Sequence, residues 1–230
     1  PAGAGRLVRI AQSLQVRAEQ AQVQGGPGWL HDLSRFSSRL HALIARLQTP
    51  VPALQAAARD AAALNSVTAA VHQRFAAQAG DKEAFTALLK QAFGDKFDAG
   101  KAETIRQQAL AGDFGWAPKV QVLSSQALAD LSGTQGAGIA KGAYVQSSDT
   151  IYISRELLHG NPAQAQRLLM EEMGHGLDAR INASDAAGDE GEIFGKLMHG
   201  DAISAPEMAA LRADNDHGVV NINGQAVTVE

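Results

Sequence analysis

The sequence predicts an α+β fold that is mainly helical, with a small antiparallel or mixed sheet and one helix that carries the chemistry. Three observations point to it. Apolar residues recur at helical spacing over long stretches, as in Leu33, Phe36, Leu40, Ile44 and Leu47. Short Val- and Ile-rich segments alternate, KVQVL at 119–123 and TIYIS at 150–154, which is the period of a strand. Near the end, Asn223-Gly224 separates two alternating runs, the strongest two-residue hairpin signal in the chain.

Residues 6 to about 64 are rich in Ala, Gln, Leu and Arg, and helices are expected over roughly 6–23, 29–47 and 52–64. QGGPGW (24–29) breaks the first from the second, and TPVP (49–52) the second from the third. This N-terminal helical segment, 1–65, carries no cluster of catalytic residue types and reads as a hairpin or small bundle. A second domain is expected over 66–230. It opens with one or two helices over 66–93 and another over 98–110, for which Asp98 is a natural N-cap. AGDFGWAP is a loop, KVQVL a strand and the Gly-rich 133–142 a flexible connection. AYVQSSDTIYIS (143–154) gives strand, turn and strand. Asn161 and Pro162 suit the N-cap and N1 positions of a helix running to about Asn182. Two shorter helices follow, DEGEIFGKLMHG and APEMAALRAD, before the C-terminal hairpin. Trp29 and Trp116 read as packing anchors.

Composition removes several classes of function. The 230 residues contain no Cys, so disulfides, thiolate metal sites and Cys nucleophiles are excluded, and a metal site must use His and carboxylates. A net charge of -4 without a basic stripe makes nucleic acid an unsuitable partner. No apolar run is long enough to be a transmembrane segment, and no signal-peptide pattern opens the sequence. There is no G-x-S-x-G for a serine hydrolase.

The helix over 162–182 is the informative one. At about 100° per residue, Glu171, His175, Asp178 and Asn182 fall in one stripe, with Leu169, Met173, Leu177 and Ile181 opposite. Gly174 and Gly176 flank the His, each costing roughly 1 kcal/mol against Ala, which suggests close approach by another element. Residues at i and i+4 project side by side, so Glu171 and His175 can grip one metal. Glu172 lies about 100° round the helix from Glu171, the position that holds the general base in the H-E-x-x-H enzymes this stretch resembles. A third ligand is then required.

LLMEEMGHGLD (168–178) resembles the H-E-x-x-H helix of zincin metallopeptidases with Glu171 in place of the first His. DEGEIFGKLM resembles a stretch of ImmA/IrrE-type metallopeptidases, which implies Glu190 as third ligand and matches Phe194 to the family's Phe. TIYIS stands where a zincin has the edge strand that aligns an extended substrate. Over about 66–230, FGDKFDAGKAETIRQQALAGDF, KGAYVQSSDTIYISREL, the 171–201 stretch and LRADNDHGVVNINGQAVTVE resemble a domain of large secreted bacterial RTX (hemolysin-type) calcium-repeat proteins. These resemblances imply a zincin-like fold with an active helix, secretion or display on a bacterial cell surface, and a metal-dependent peptidase. Zn²⁺ is the implied cofactor, with Mn²⁺ or Ca²⁺ as alternatives for the extra carboxylate. The implied partner is a protein or peptide substrate, the chain's own precursor included. Asp178, three residues after His175, is the alternative third ligand. Asp178, Asn182, Asp185 and Asp189 otherwise stand as partners that orient the ligands, as a calcium site or as helix caps. Tyr144, Tyr152, His199 and His217 are candidates for oxyanion stabilisation or simply structural. The competing reading is a non-catalytic, zincin-derived binding or structural module of a secreted adhesin or toxin.

Overall fold

The computed structural model describes residues 51–132, 141–214, 218–222 and 225–229, with single positions before residue 51. The helices expected over 6–23 and 29–47 fall almost wholly outside the described residues, as do Trp29, the stretch 133–140, His217 and the pair Asn223-Gly224. The chain divides into two compact units, Pro1–Arg59 and Asp60–Glu230, against a boundary after residue 65 expected from the sequence. The second unit is mainly helical with a small mixed sheet, the α+β class expected.

The first described helix, α1, runs without a break from Pro50 to Ala79. The separation expected after 64 is therefore corrected. Asn65 and Ser66 have modest helix propensity, but Val67, Val71, Phe75 and Ala79 bury one continuous stripe, and that burial outweighs propensity. Arg106 donates to the Ala79 carbonyl at 2.7 Å and so satisfies one of the helix's terminal acceptors. Next come α2 (Lys82–Phe93) and α3 (Ala99–Leu110). Asp81 and Asp98 cap them, each accepting from two backbone N–H groups.

Strand β1 (Lys119–Leu123) leads into α4 (Ser125–Ser132), a short helix that the sequence pattern does not announce. β2 (Gly142–Val145) and β3 (Thr150–Ser154) are joined by one 3₁₀ turn and by Asp149 at φ 50°. The order is β1-β3-β2, with β1 parallel and β2 antiparallel to β3. TIYIS is therefore the central strand, which corrects its expected place at the edge. The reason is visible in its burial: all of its residues but Tyr152 are buried, as a strand paired on both sides requires. Among the described residues the edges are β1 and β2.

α5 (Arg155–Gly160) is tied to α1 through Asp60, which accepts from Arg155 Nε at 2.8 Å and lies 2.7 Å from His159 Nε2. Beneath the sheet runs α6 (Pro162–Ile181), then α7 (Glu190–His199) and α8 (Ala205–Ala213), the last with a Ser204/Glu207 capping box. β4 (Gly218–Ile222) and β5 (Gln225–Val229) form the expected antiparallel hairpin. Tyr144, Ile151 and Ile153 join the core that contains α6, while Ala143, Val145 and Tyr152 pack with Val229 on the other face.

The core is organised around Phe75, fully buried and in aromatic contact with Phe85, Phe114, Trp116 and Phe194. Phe194 also stacks on Phe93, so α1, α2 and α7 share one aromatic cluster. Gly176 lets α6 approach the segment before β1, since a Cβ there would lie 2.4 Å from Pro118 Cγ. The proline ring cannot swing away. Gly176→Ala is expected to cost on the order of 1–3 kcal/mol, read as a fall in thermal midpoint. Gly160→Ala, where a Cβ meets nothing within 4 Å, should leave stability unchanged or slightly raised.

Candidate metal and catalytic site

The site is built where α6 and α7 meet. Asn161 caps α6, accepting from the Gln164 N–H at 3.1 Å, with Pro162 in the first turn as expected. At the start of α7, Asp189 accepts from the Glu192 N–H at 2.7 Å, and its own N–H donates to the Leu211 carbonyl at 2.9 Å. Gly188, at φ 95°, lies against the Arg212 backbone, where a Cβ would come within 2.4 Å of Cα. A side chain there would both strain the backbone and collide with α8. These contacts fix the direction in which Glu190, the first residue of α7, enters.

Glycines set the distance between the two helices. A Cβ on Gly174 would lie 3.0 Å from Gly191 Cα, and one on Gly195 would lie 3.2 Å from Glu171 N. A Cβ on Gly191 would fall 2.3 Å from His175 Nε2. The imidazole thus rests directly on the Gly191 backbone. Its Nδ1 lies 2.8 Å from Glu190 Oε1, and both side chains are almost wholly buried, at 3% and 1% exposure. Two residues fifteen positions apart and chosen as ligands from the sequence are in direct contact.

Glu172 is buried as well, and its Oε2 has no hydrogen-bond partner. Burial pushes its carboxyl well above the ordinary value; His175 and the Tyr144 backbone amide favour the charged form, while Glu171 and Asp189 oppose it. Burial also pushes Glu171 up to about 7, with the Asp189 charge adding to the effect and His175 opposing it. Asp178 is likewise pushed up to about 7 by burial, against the hydrogen bond from Asn182 and with the Glu190 charge adding.

The second group of expected residues converges too. Potential ligand oxygens of Asp178, Asp185 and Glu190 all lie within 4.8 Å of one another; among the described residues this is the cluster of three with ligand geometry. Glu171 stands outside that trio, with Asp189, His175, Glu192 and Lys196 as its charged neighbours. Asn182 donates to Asp178 Oδ1 at 2.5 Å and to the Phe93 carbonyl at 3.2 Å, and the Ala186 N–H donates to Asp178 Oδ2 at 3.1 Å. Asn182 therefore orients Asp178. Asp189 acts as a helix cap, one of the roles open to it from the sequence.

Of the other candidates, Tyr144 points its side chain into the core and donates to Asp149 at 3.1 Å, while Tyr152 packs on the hairpin face. His199 has a buried Nε2 without a partner, and its pKa is lowered by burial. Two contributors escape the sequence reading, the Gly191 backbone and the Tyr144 amide. A Gly between two Glu in the first turn of a helix, as in DEGEIF, was the available signal for the first. For the second there was none, because it needs the sheet order.

No family model, no curated protein and no solved structure matches this chain. The geometry alone therefore carries the functional reading.

The raised carboxyl pKa values have a definite sign. A carboxylate near 7 in the fold and about 4.5 unfolded holds more protons when folded between those values, so stability falls as pH rises from about 4.5 to 7 and is flat above. In chelator, urea titrations across that window should show a decline, of which Glu171 accounts for up to about 3 kcal/mol. Glu171→Gln should shrink the decline by that share, leaving the part that Glu172 and Asp178 contribute.

Proposed function

We propose that the Asp60–Glu230 unit is a metal-dependent hydrolase of peptide bonds, with a zincin-like arrangement. Glu171, His175 and Glu190 would hold a divalent cation, and Glu172 would act as general base. The observation that carries this reading is the buried, partnerless Oε2 of Glu172 beside His175. A carboxylate left in that state costs several kcal/mol unless it is protonated or faces a cation. The donor types suit such an ion, one imidazole and several carboxylates, of which Glu171, Glu172 and Asp178 are pushed towards the protonated form. Glu171 would have to move inward to join His175 and Glu190, since the three are not among the groups whose ligand atoms lie within 4.8 Å of one another.

A divalent cation bound there supplies Lewis acidity, polarising a peptide carbonyl and acidifying water. Glu172 then has the chemistry of a proton carrier, since a pKa raised by burial lets one carboxyl accept a proton and return it to a departing amine. His175 Nδ1 and Glu190 Oε1 already lie 2.8 Å apart, close enough to share one cation, and Gly191 supports the face of the ring. Asn182 and the Ala186 amide hold Asp178 beside Glu190. The substrate would be a protein or peptide, the chain's own precursor included, and the setting a secreted or surface protein of a bacterium. No described helix is long and apolar enough to cross a membrane.

A specific observation supports a second reading. His175, Glu172 and Glu190 are all at or below 3% exposure, and closed sites are the mark of structural rather than catalytic metals. The all-oxygen trio of Asp178, Asp185 and Glu190 suits Ca²⁺ or Mn²⁺ in a binding or structural module.

Elemental analysis of the purified chain, together with hydrolysis of fluorescein-labelled casein, separates the two. The peptidase reading expects about one equivalent of transition metal, and a loss of rate on the order of 10²–10⁴ in Glu172→Gln with the metal retained. Absence of bound metal, or cleavage indifferent to Glu172→Gln, overturns it. The structural reading expects no hydrolysis and a thermal midpoint raised by Ca²⁺, the rise disappearing in Asp185→Asn.

A further inference from the structure

The segment between α6 and α7, residues 182–189, carries Asp185 and delivers Glu190 to the candidate site. Whatever holds this segment therefore governs access to the site. At one end the Ala186 N–H donates to Asp178 Oδ2 at 3.1 Å, so the segment folds back over Asp178. At the other end it is held by α8. The Leu211 carbonyl accepts from the Asp189 N–H at 2.9 Å. Gly188, at φ 95°, rests on the backbone of Leu211 and Arg212, where a Cβ would lie 2.5 Å from the Leu211 oxygen. α8 thus presses main chain against main chain.

α8 itself is lightly attached. Leu211 is its one buried residue, with Met208 partly buried beside the core. α7, by contrast, buries Ile193, Phe194 and Met198 completely. Two polar ties of α8 lie at the surface: Arg212 donates to the Gln91 carbonyl, and Glu207 pairs with Lys196 at 3.1 Å. An exposed ion pair holds weakly. The Ser204/Glu207 capping box is internal to the helix, so it needs no contact with α7. The chain enters α8 through Gly200, at φ 78°, and then through residues 201–204, which have no regular structure. A Cβ on Gly200 would meet nothing within 4 Å. Glycine serves there for its backbone freedom and not for space, which suits a hinge.

We infer that α8 is a latch, which lifts about Gly200 while α6 and α7 stay packed, releases the 182–189 segment and so admits the cation. This rests on the cation reading of the site, catalytic or structural, and concerns how the ion enters. His175, Glu172 and Glu190 are at or below 3% exposure, so an ion reaches them only when the surrounding chain moves. Lifting α7 breaks the aromatic core, whereas lifting α8 withdraws one buried side chain. The ion and the closed latch favour each other. The ion holds Glu190, two residues from Gly188, and Gly188 is the seat of Arg212.

The chain has no Cys, so Gln91→Cys with Arg212→Cys gives a unique pair of thiols at exposed positions, which a short bismaleimide joins across α2 and α8. Hydrogen exchange of the metal-free full chain is the first readout. Before linking, and in the unsubstituted chain, the Ala186 and Asp189 amides should exchange together, about tenfold or more faster than those of Ile193 and Phe194. Linking should slow the Ala186 and Asp189 amides about tenfold or more. Zn²⁺ uptake, followed by competition with a coloured chelator, should slow by a similar factor at the same final amount of metal. Leu211→Ala, which removes the buried contact of the latch, should speed uptake about tenfold. The inference is overturned if the Ala186 and Asp189 amides exchange no faster than those of Ile193 and Phe194. It is also overturned if linked and unlinked chains take up Zn²⁺ equally fast, an outcome that leaves the cation reading intact. No Zn²⁺ bound by either form overturns the cation reading and the latch with it.

Discussion

The close approach of α6 to α7 is the constraint on which the rest of the unit depends. Gly174, Gly191 and Gly195 give up side chains along the line of contact, and the His175 ring fills the space that a Cβ on Gly191 would take. Each glycine within a helix costs roughly 1 kcal/mol against Ala. The return is contact between a histidine on one helix and a glutamate on the next. The aromatic cluster around Phe75 and Phe194 holds α7 from behind, and the turn locked by Gly188 and Asp189 holds its leading end. Core and site are consequently one construction: Phe194, four residues after Glu190, is both the wall behind Gly174 and a member of the aromatic centre.

That arrangement creates an electrostatic problem. It brings Glu171, Glu172 and Glu190 near one imidazole and Asp178 near Glu190, with all but Glu171 buried, where like charges repel strongly. A fold has few ways to tolerate this. It can keep the acids protonated, pair them with bases, or bind a cation. His175 and Lys196 favour the charged form of Glu171, but Lys196 is also held by Glu192 and Glu207. The peptidase and structural readings share this origin and differ in whether anything beyond the ion must enter.

Much of this was legible in the sequence, and what was not has identifiable reasons. Helix α6 was readable because Asn161-Pro162 start it and a four-residue stripe marks its polar face. The significance of Gly174 and Gly176 was readable because glycine inside a helix needs a cause, and both causes, Gly191 with Phe194 and Pro118, are found. Glu190 could be chosen from a short local pattern. The continuity of α1 through Asn65-Ser66 could not be read, because it rests on burial against residues far along the chain. The place of TIYIS in the sheet was also hidden. A buried central strand and a half-buried edge strand differ by their neighbours, and the parallel partner β1 lies 31 residues earlier by the pairing of Lys119 with Thr150. The trio of Asp178, Asp185 and Glu190 was visible as composition only, since its convergence needs the path of the turn between the helices.

That turn is short. Ile181 ends one helix and Glu190 begins the next, and every residue proposed to touch a cation lies between positions 171 and 190. Loop-closure entropy for so small a separation is low. The site is therefore a single helical hairpin, assembled from neighbours rather than gathered from distant parts of the chain. Fraying of α7 alone would remove one half of it, the aromatic support behind it and the lid over the imidazole in one event. Because Ile193, Phe194 and Met198 of α7 are fully buried in the main core, opening the hairpin also opens the core, and the site lasts as long as the unit stays folded.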